Sequence, residues 1–339
     1  MDLDHYLTAN RPSWDRLRQL TRQASSRPGS LTPDEVDELV GLYQRASSQL
    51  SYARNTFRDP ALTTELTSVV AGANAALYRR TGSRWSGLRR FFAVSFPAAV
   101  WHLRRHVAVA TAALCIPWLI VGLWLAGNEE ALTFVGDETA RAAYVDEDFE
   151  AYYSTGPASE FATQVLINNI QVSFTAYVAG VFLGIGSVGI LAFNGANVGA
   201  AWAVFIVAGQ QGRFWGLILP HGLLELTAVV LAGAAGMALG WSLVAPGDRS
   251  RAEAFTQEAR RSVVVILGLI LVFIVAGIIE AFITPSPLPT AARVAFGVAV
   301  EAAFVSYLVA FGRRAAVEGL TGLASDDLEG PTARAVLNV

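Results

Sequence analysis

The sequence is poor in charged residues and contains no lysine. Only 16% of its 339 residues are charged, and all 25 basic residues are arginine, whereas an ordinary soluble domain is about 25% charged. The hydrophobic fraction is 53% and the mean hydropathy is +0.42. The charge deficit lies after the first hundred residues, where long apolar runs follow one another. The composition therefore excludes a soluble globular protein and predicts an all-α, polytopic membrane protein.

Cysteine and histidine are scarce as well. The single cysteine, Cys115, lies in an apolar run and excludes an intrachain disulfide framework. With four histidines a zinc site is not expected, and Asp146-Glu147-Asp148 lacks the spacing and the glycine of a calcium loop. Glu129-Glu130 is not followed by the arginine that an intramembrane protease of the CAAX type requires. We therefore expect a protein that is not an enzyme and uses no metal and no cofactor.

Residues 1–83 are predicted to form a cytosolic unit of three helices. Thr32-Pro33-Asp34-Glu35 is a capping box with proline at the first helical position. It predicts the start of a helix over 33–58, and flanking helices are predicted over 13–24 and 60–80. The acidic residues of this unit are interpreted as a solvated face.

Arginines and aromatic residues alternate over 84–106, directly before the first long apolar run. This pattern is typical of an amphipathic helix that lies on the cytoplasmic leaflet. A nucleic-acid patch is less favoured because a membrane span follows immediately, so the lipid bilayer is expected as the partner and no nucleic acid is. The predicted membrane-interface residues are Arg84, Trp85, Arg89, Arg90, Trp101, Arg104 and Arg105.

Residues 107–314 are predicted to be a membrane domain of about six segments, some of them interrupted or re-entrant. Asn194-Gly195-Ala196-Asn197 is expected to break the chain, and 246–262 is expected to be an amphipathic connector. Whether 194–209 spans the membrane or turns back is left open by the sequence. The segments lie at about 107–126, within 161–193, and at 194–209, 214–244, 263–283 and 291–311.

Charge predicts the orientation of these segments. With six spans, the arginines of 84–105, 249–261 and 313–314 all fall on the cytoplasmic side, and the acidic loop 127–160 falls outside. Five spans would move 249–261 outside, which favours six. The protein is therefore predicted to be a multi-pass protein of the cell membrane whose N-terminus and C-terminal tail, 315–339, are both cytoplasmic.

The apolar segments contain polar side chains that are unfavourable in lipid. His221 and Glu225 are four residues apart and share one helix face, while Pro220 and Gly222 are expected to loosen the helix around them. These side chains are predicted to belong to an intramembrane polar cluster. The cluster comprises Asn168, Asn169, Asn194, Asn197, His221, Glu225, Glu280 and Glu301.

Three uses of this cluster are open at the level of sequence. It is a structural lock if His221 or Glu225 bonds to an asparagine of another helix. It is a conduit for protons or a cation if Glu225, Glu301 and Glu280 line a wet cavity, as interrupted helices do in transporters. A catalytic site is the least favoured use. His221 is a candidate partner for Glu301, and the sequence leaves open whether Glu280, near the outer end of its span, joins the cluster or reaches the membrane interface.

Four motifs of the membrane region occur in one order along the chain: Asn168-Asn169-Ile-x-Val-x-Phe, a glycine-spaced span to Asn194-Gly195, His221-Gly-x-x-Glu225, and Glu280-Ala-Phe-Ile-Thr-Pro. Together they resemble the stage II sporulation protein M family over about residues 100–315. The resemblance implies an all-helical membrane protein without recognised catalytic activity. Sporulating members of the family work with peptidoglycan hydrolases during engulfment of the forespore.

The resemblance therefore implies a scaffold or partner for cell-envelope remodelling machinery, with hydrolases or an ATPase as partner proteins. The additional N-terminal region is similar to that of actinobacterial relatives and indicates a cytosolic partner. The small-residue pairs Gly180/Gly184 and Gly236/Gly240 predict close helix packing and, through such faces, a homodimer. The alternative function is a transporter or channel that uses the polar cluster for protons, cations or a small substrate.

Overall fold

The computed structural model describes the chain as two compact units, Met1–Gly87 and Leu88–Val339. Within the described residues the backbone forms helices and turns and contains no strand, so the predicted all-α fold is confirmed. The acidic triplet 146–148 and most of the predicted tail lie outside the described residues. The described residues are 3–26, 31–57, 59–77, 84–145 and 158–323.

The N-terminal unit is built from three helices, α1 (Leu3–Ser26), α2 (Pro33–Thr56) and α3 (Pro60–Leu77). They enclose a core of their own, in which Trp14 is fully buried and donates from Nε1 to Gln49 Oε1 at 2.7 Å. An aromatic body with a satisfied polar tip suits such a position. Trp14 thereby fixes α1 against α2.

The ends of α2 follow the sequence closely. Thr32 and Glu35 form the predicted capping box, because the Thr32 side chain accepts from the Glu35 backbone N–H and Glu35 accepts from the Thr32 N–H at 2.9 Å. α1 starts ten residues before the predicted Ser13, because the helix continues through Pro12. Tyr6 is buried against the same core, and this packing outweighs the backbone hydrogen bond that proline removes.

The segment after residue 84 is not one interfacial helix. It consists of α4 (Arg84–Arg90), a π-helical turn (Phe91–Ser95) and α5 (Phe96–His102). α4 is exposed, whereas Phe96 is buried, and a Cβ atom added at Gly268 would overlap its ring. Burial therefore divides this segment, because Phe96–Val100 pack inside the helical bundle whereas Arg104 and Arg105 are exposed, and the membrane-interface position of 84–106 stays a prediction.

Five of the described helices are long and apolar enough to cross a membrane, and a further helix, Ala158–Ala179, lies among them. Two short helices, α7 (Glu129–Leu132) and α8 (Glu138–Ala143), belong to the described part of the acidic loop. The bundle consists of α6 (Arg104–Ala126), α9 (Ala158–Ala179), α10 (Ile185–Val207), α11 (Gln211–Val244), α12 (Arg251–Phe282) and α13 (Thr290–Val317).

α11 is the centre of the bundle, and its residues 228–240 are all buried. α9 and α13 run parallel to it, because Asn169 lies beside Glu225 and Gly180 beside Gly236, while Thr227 lies beside Glu301. α10 and α12 run antiparallel to α11, and α6 runs parallel to α10. The six helices therefore alternate in direction along the chain.

The chain does not break where the sequence predicts. Asn194 and Asn197 lie within the uninterrupted helix α10, and Pro220 lies within the uninterrupted 34-residue helix α11. Gly195 serves close packing instead, because a Cβ there would overlap the Leu114 carbonyl of α6. The open question about 194–209 is thus resolved in favour of a helix that is long enough to span.

The real interruption lies between α9 and α10. Leu183 has φ 55° and Gly184 has φ 82°, which reverses the chain in a tight turn.

The segment 246–262, which the sequence predicts to be an amphipathic connector, is mostly helical. α12 begins within it, at Arg251, behind a capping box formed by Ser250 and Glu253.

The small-residue pairs pack against each other within one chain. A Cβ atom at Gly180 would overlap the Gly236 backbone, and one at Gly240 would overlap the backbone of Gly180 and Gly184. The predicted close approach of helices is present, but these faces are occupied by α9 and α11 themselves. They are not available for a dimer, so the homodimer stays a prediction without this support.

Candidate functional site

Three carboxylates of the predicted cluster lie in the helical bundle, on α11, α12 and α13. Glu225 and Glu280 are 4% and 2% exposed, and Glu301 is half-buried. Carboxylates at such positions are expected to have polar partners, since lipid and apolar side chains offer none. The partners of the three groups differ, and they divide the predicted cluster into two sites.

Glu225 is held by α9. Asn169 Nδ2 donates to Glu225 Oε2 at 2.6 Å, which joins α9 to α11. The other carboxylate oxygen, Oε1, is buried and accepts no hydrogen bond from any described residue. Asn169 therefore orients the Glu225 carboxylate and leaves one of its oxygens available.

His221 lies one turn before Glu225 and faces α12. Its Nδ1 is 3.1 Å from Thr284 Oγ1, and its Nε2 is 3.7 Å from Glu280 Oε1. Neither oxygen of Glu280 accepts a hydrogen bond from a described residue. Of the two alternatives open for Glu280, the structure favours the cluster, since its side chain is buried and points into the bundle.

Thr284 connects this site to the end of the bundle. Its side chain contacts His221, and its backbone carbonyl accepts from the Arg293 guanidinium. Arg293 also donates to Thr290 Oγ1 at 3.2 Å, and Thr290 is exposed. A line of polar groups thus runs from the exposed first residue of α13 to His221 and the two carboxylates.

Glu301 belongs to a second site. Its Oε1 accepts from Thr227 Oγ1 at 2.7 Å, whereas the sequence favoured His221 as the partner. Thr227 is two residues after Glu225, so it lies on a different face of α11, which packs on α13. Because Thr227 and Glu225 lie on different faces of α11, Glu301 is kept apart from the site of His221, Glu225 and Glu280.

The remaining predicted members lie elsewhere. Asn168 is exposed on α9, and Asn194 is half-buried on α10. Asn197 lines a cavity of about 340 Å³ together with Arg141 and Tyr144. These three asparagines make no hydrogen bond to His221, Glu225, Glu280 or Glu301 in the part of the chain that the structure describes.

A second group of polar residues was missed by the sequence analysis. Glu258 and Arg261 form a buried ion pair on α12, and His102 Nε2 lies 3.7 Å from Glu258 Oε1. Arg261 also donates to the Thr321 carbonyl at 2.9 Å. Glu258 is separated from Glu280 by 22 helical residues, roughly 33 Å at 1.5 Å per residue. The two polar groups therefore lie near opposite ends of the bundle.

The predicted membrane-interface residues are mostly exposed. Trp85 is 78% exposed, and the side chains of Arg89, Arg90, Arg104 and Arg105 are exposed as well. Trp101 is half-buried, and the Arg104 guanidinium lies over its ring at 5.6 Å. The Arg84 side chain lies outside the described part of the chain.

The donor set of the site is suited to exchanging protons and forming hydrogen bonds. Carboxylates, an imidazole and hydroxyl groups all bind and release protons. Among the described residues, no group of three or more His, Cys, Asp or Glu side chains has a geometry that fits a metal ion.

Comparison with known proteins identifies the membrane region. A protein of Methanocaldococcus jannaschii, described as uncharacterised, is 27% identical over 123 residues, which cover 36% of this chain and 69% of that relative. No solved structure matches the chain significantly. A domain of unknown function matches residues 4–79, which lie within the N-terminal unit. A family model described as stage II sporulation protein M matches residues 111–285, more than half of the sequence, and the chain therefore belongs to the stage II sporulation protein M family.

Proposed function

We propose that this protein carries protons across the cell membrane through the buried carboxylates of Glu225 and Glu280, without enzymatic activity. The observation that carries the proposal is the pair of acidic side chains beside His221 whose oxygens Glu225 Oε1, Glu280 Oε1 and Glu280 Oε2 lack a hydrogen-bond donor among the described residues. Such oxygens are available to a proton.

The size of the effects argues against a purely structural role. An acidic residue near the middle of a membrane helix costs about 2.5–3.5 kcal/mol on insertion scales. A hydrogen bond between membrane helices returns about 0.6 kcal/mol on average. The single bond from Asn169 to Glu225 therefore does not offset the carboxylate, and Glu280 accepts no such bond from a described residue. A serine or an asparagine would lock the helices at a lower cost.

Protons are favoured over metal cations as the transported species. Hard cations take six or more oxygen ligands in proteins. Two carboxylates, one hydroxyl group and one imidazole converge on this site, and Arg293, in the first turn of α13, bonds the Thr284 carbonyl beside it. The site thus offers fewer ligands than a hard cation takes, whereas a proton needs only one acceptor atom.

The direction of the pathway follows from the arginine-rich ends of the helices. With the ends near Arg104 and Arg313 on the cytoplasmic side, Thr290 and Arg293 face the outside. Protons would enter past Thr284 and His221 and reach Glu280 and Glu225 from there.

Full-length protein in lipid vesicles tests the proposal. A potassium diffusion potential would drive protons into vesicles that contain a pH-sensitive dye. We expect acidification that depends on the protein, and we expect Glu225→Gln and Glu280→Gln each to lower its rate by about tenfold or more, as removal of a proton-transfer group does. Asn168→Ala, one residue before Asn169 but exposed, is the matched control and should leave the rate unchanged.

Two results would contradict the proposal. One is wild-type flux equal to that of empty vesicles, and the other is undiminished flux in both glutamine variants. Infrared spectroscopy supplies an independent readout, because the C=O band of a protonated carboxyl group is lost when glutamine replaces that glutamate.

A second candidate function is a scaffold for cell-envelope remodelling machinery. It is favoured by family membership and by the N-terminal unit, which has a core of its own and matches a separate family model. A compact cytosolic unit attached to a membrane domain is suited to recruiting a partner protein such as a peptidoglycan hydrolase or an ATPase. The homodimer expected from the sequence belongs to the same proposal.

Deletion of residues 1–83 separates the two functions. If the protein is a scaffold, a photoreactive residue at Val36, which is exposed on α2, crosslinks to an envelope hydrolase or ATPase in the full-length protein, and cells that make only the shortened protein lose that partner from the membrane fraction. If it is a proton pathway alone, the shortened protein conducts as the full chain does and no such partner is crosslinked.

A further inference from the structure

We infer that the loop segment 127–145 and the end of α10 form a binding site for a zwitterion, a ligand that carries an oxyanion and an ammonium group close together. The site shares no residue with the cluster of His221, Glu225 and Glu280, so the inference does not rest on the proposed proton pathway. It is carried by a cavity that Arg141 lines with a guanidinium group for which the described residues offer no acceptor.

The walls of this site are held in place by apolar packing and by helix caps. Leu132 and Val145 are each 2% exposed, and they belong to an apolar cluster between the loop segment and the ends of α10 and α11. The side chains of Asn128 and Asp137 accept backbone hydrogen bonds at the starts of α7 and α8. A ligand therefore meets walls that are already ordered, which lowers the entropic cost of binding.

Two neighbouring cavities lie between these walls. The larger has a volume of about 690 Å³, which is within the range of small-molecule sites, and its apolar side is formed by Val204, Val207 and Ala208 at the end of α10. The smaller, of about 340 Å³, reaches Asn197, two turns earlier in the same helix. Arg141 and Val204 line both of them, so the Arg141 side chain lies where the two cavities adjoin.

Arg141 is a base without an acceptor. It is the only basic residue of 127–160 in the sequence, and its Nη1 atom is buried without a hydrogen-bond partner among the described residues. Asp137 and Glu138, four and three residues earlier, do not bond this nitrogen. Buried N–H groups normally have partners, and a guanidinium group is suited to a carboxylate or a phosphate. An oxyanion in the cavity would supply the acceptor that the described residues do not.

The other charges of the larger cavity define the class of ligand. Glu129, Asp137 and Glu138 line it together with Arg141. Charges that share a cavity are not fully screened, because the screening length at physiological salt is about 8 Å. The three carboxylates therefore repel a simple anion, and Arg141 repels a simple cation. A zwitterion avoids both penalties, since its oxyanion meets Arg141 and its ammonium group meets a carboxylate.

Two sources provide such a ligand. One is the headgroup of an ethanolamine phospholipid, in which an ammonium group follows a phosphate. The other is a soluble amino acid or short peptide, in which an ammonium group accompanies a carboxylate. α10 is long and apolar enough to cross a membrane, which places the cavity at its end near a membrane surface, where both sources are within reach. The two are separated by experiment.

Binding to the full-length protein in detergent tests the site. For the lipid, native mass spectrometry compares retention of phosphatidylethanolamine with that of phosphatidylglycerol, which has the phosphate but no ammonium group. For the soluble ligand, calorimetry compares glycylglycine with N-acetylglycine and glycinamide, each of which keeps one of its two charges. We expect a zwitterion to bind better than its singly charged analogues.

Three variants and a control locate the binding. Arg141→Gln should weaken it by about tenfold or more, the effect of losing a hydrogen bond to a charged group, without lowering the unfolding midpoint. Ala208→Trp should weaken it as well, because it fills the larger cavity and changes no charge. Glu129→Gln combined with Glu138→Gln should shift the preference towards the anionic analogue. Arg313→Gln is the control, since Arg313 is an exposed arginine of α13 outside both cavities.

The outcomes decide between the sources and against the site. Selective retention of phosphatidylethanolamine that Arg141→Gln abolishes supports a lipid headgroup, and binding of glycylglycine that the same variant abolishes supports a soluble ligand. The site is overturned if the wild type binds neither zwitterion, if it binds the anionic analogues equally well, or if Arg141→Gln and Arg313→Gln behave alike. None of these measurements involves proton flux, so the site and the proton pathway stand or fall separately.

Discussion

Asn169 on α9 donates to the Glu225 carboxylate on α11 across 2.6 Å, and this hydrogen bond ties together two parallel helices of the membrane domain. It lies between His221, one turn before Glu225, and Ser173, one turn after Asn169. The same bond therefore stabilises the bundle and orients the carboxylate on which the proposed proton pathway depends.

Asn169→Ala is predicted to destabilise the membrane domain modestly. The substitution removes the donor to Glu225 Oε2, and hydrogen bonds between membrane helices contribute about 0.6 kcal/mol on average and up to about 1.7 kcal/mol. We expect a lower midpoint of thermal unfolding in mild detergent, followed by tryptophan fluorescence. Asn168→Ala is the control because Asn168 is exposed, and an equal shift in both variants would contradict a specific role for Asn169.

Three glutamates of the apolar segments could be predicted from the sequence, but their partners and the buried pair of Glu258 and Arg261 could not. Glu225, Glu280 and Glu301 stand out because charge is rare in apolar segments. Which of them meets His221 depends on the rotation of α12 and α13 around α11, and several residues of each helix offer equivalent spacing. The sequence therefore favoured His221 for Glu301, whereas the structure pairs Glu301 with Thr227.

Small residues misled the sequence analysis for a related reason. Asn194-Gly195 has the composition of a chain break, but Gly195 lies in a helix and packs on the Leu114 backbone. A glycine that breaks a helix and a glycine that admits a neighbouring backbone are identical in sequence. The burial of Phe96 depends in the same way on Gly268, which is distant in the chain.

Gly180→Ala is predicted to disrupt the packing of α9 on α11. Its new methyl group would overlap the Gly236 backbone, which cannot move aside as a flexible side chain can. Overpacking of this kind costs about 1–3 kcal/mol, and sometimes more. We expect a lower unfolding midpoint and a lower yield of folded protein in detergent.

Gly189→Ala is the matched control for that substitution. A Cβ atom at Gly189 meets nothing within 4 Å, and the residue lies inside α10. Alanine in a helix interior is favoured over glycine by about 1 kcal/mol, so this variant should be as stable as the wild type or more stable. A larger loss in Gly189→Ala than in Gly180→Ala would contradict the close packing of the two helices.

Thiol labelling is predicted to distinguish the two halves of the segment 84–102. In a Cys115→Ser background, Arg89→Cys introduces a thiol on exposed α4, and Ala99→Cys introduces one on buried α5, where Ala99 lies against Gly322. A soluble maleimide should react with the first rapidly and with the second at least about tenfold more slowly, because reaction at a buried site requires local opening. Equal rates in vesicles would mean that α5 lies on the membrane surface, as the sequence alone indicated.

The N-terminal unit is predicted to lose the contribution of one ion pair in acid. Arg16 hydrogen-bonds Glu38 between α1 and α2 at 2.7 Å, and this bond holds the pKa of Glu38 below its ordinary value of 4.5. A carboxylate whose pKa is lower in the folded than in the unfolded state stabilises the fold at pH values above its unfolded-state pKa. This stabilisation is lost as the pH falls through its folded-state pKa.

Arg16→Gln should therefore weaken hydrogen-exchange protection of α1 and α2 in the full-length protein at pH 7. The effect should be small because both side chains are partly exposed. After correction for intrinsic exchange, the difference from the wild type should vanish in acid below the folded pKa. Arg22→Gln on the same helix is the control, and a difference for Arg16→Gln that persists unchanged in acid would show that it acts through something other than the charge of Glu38.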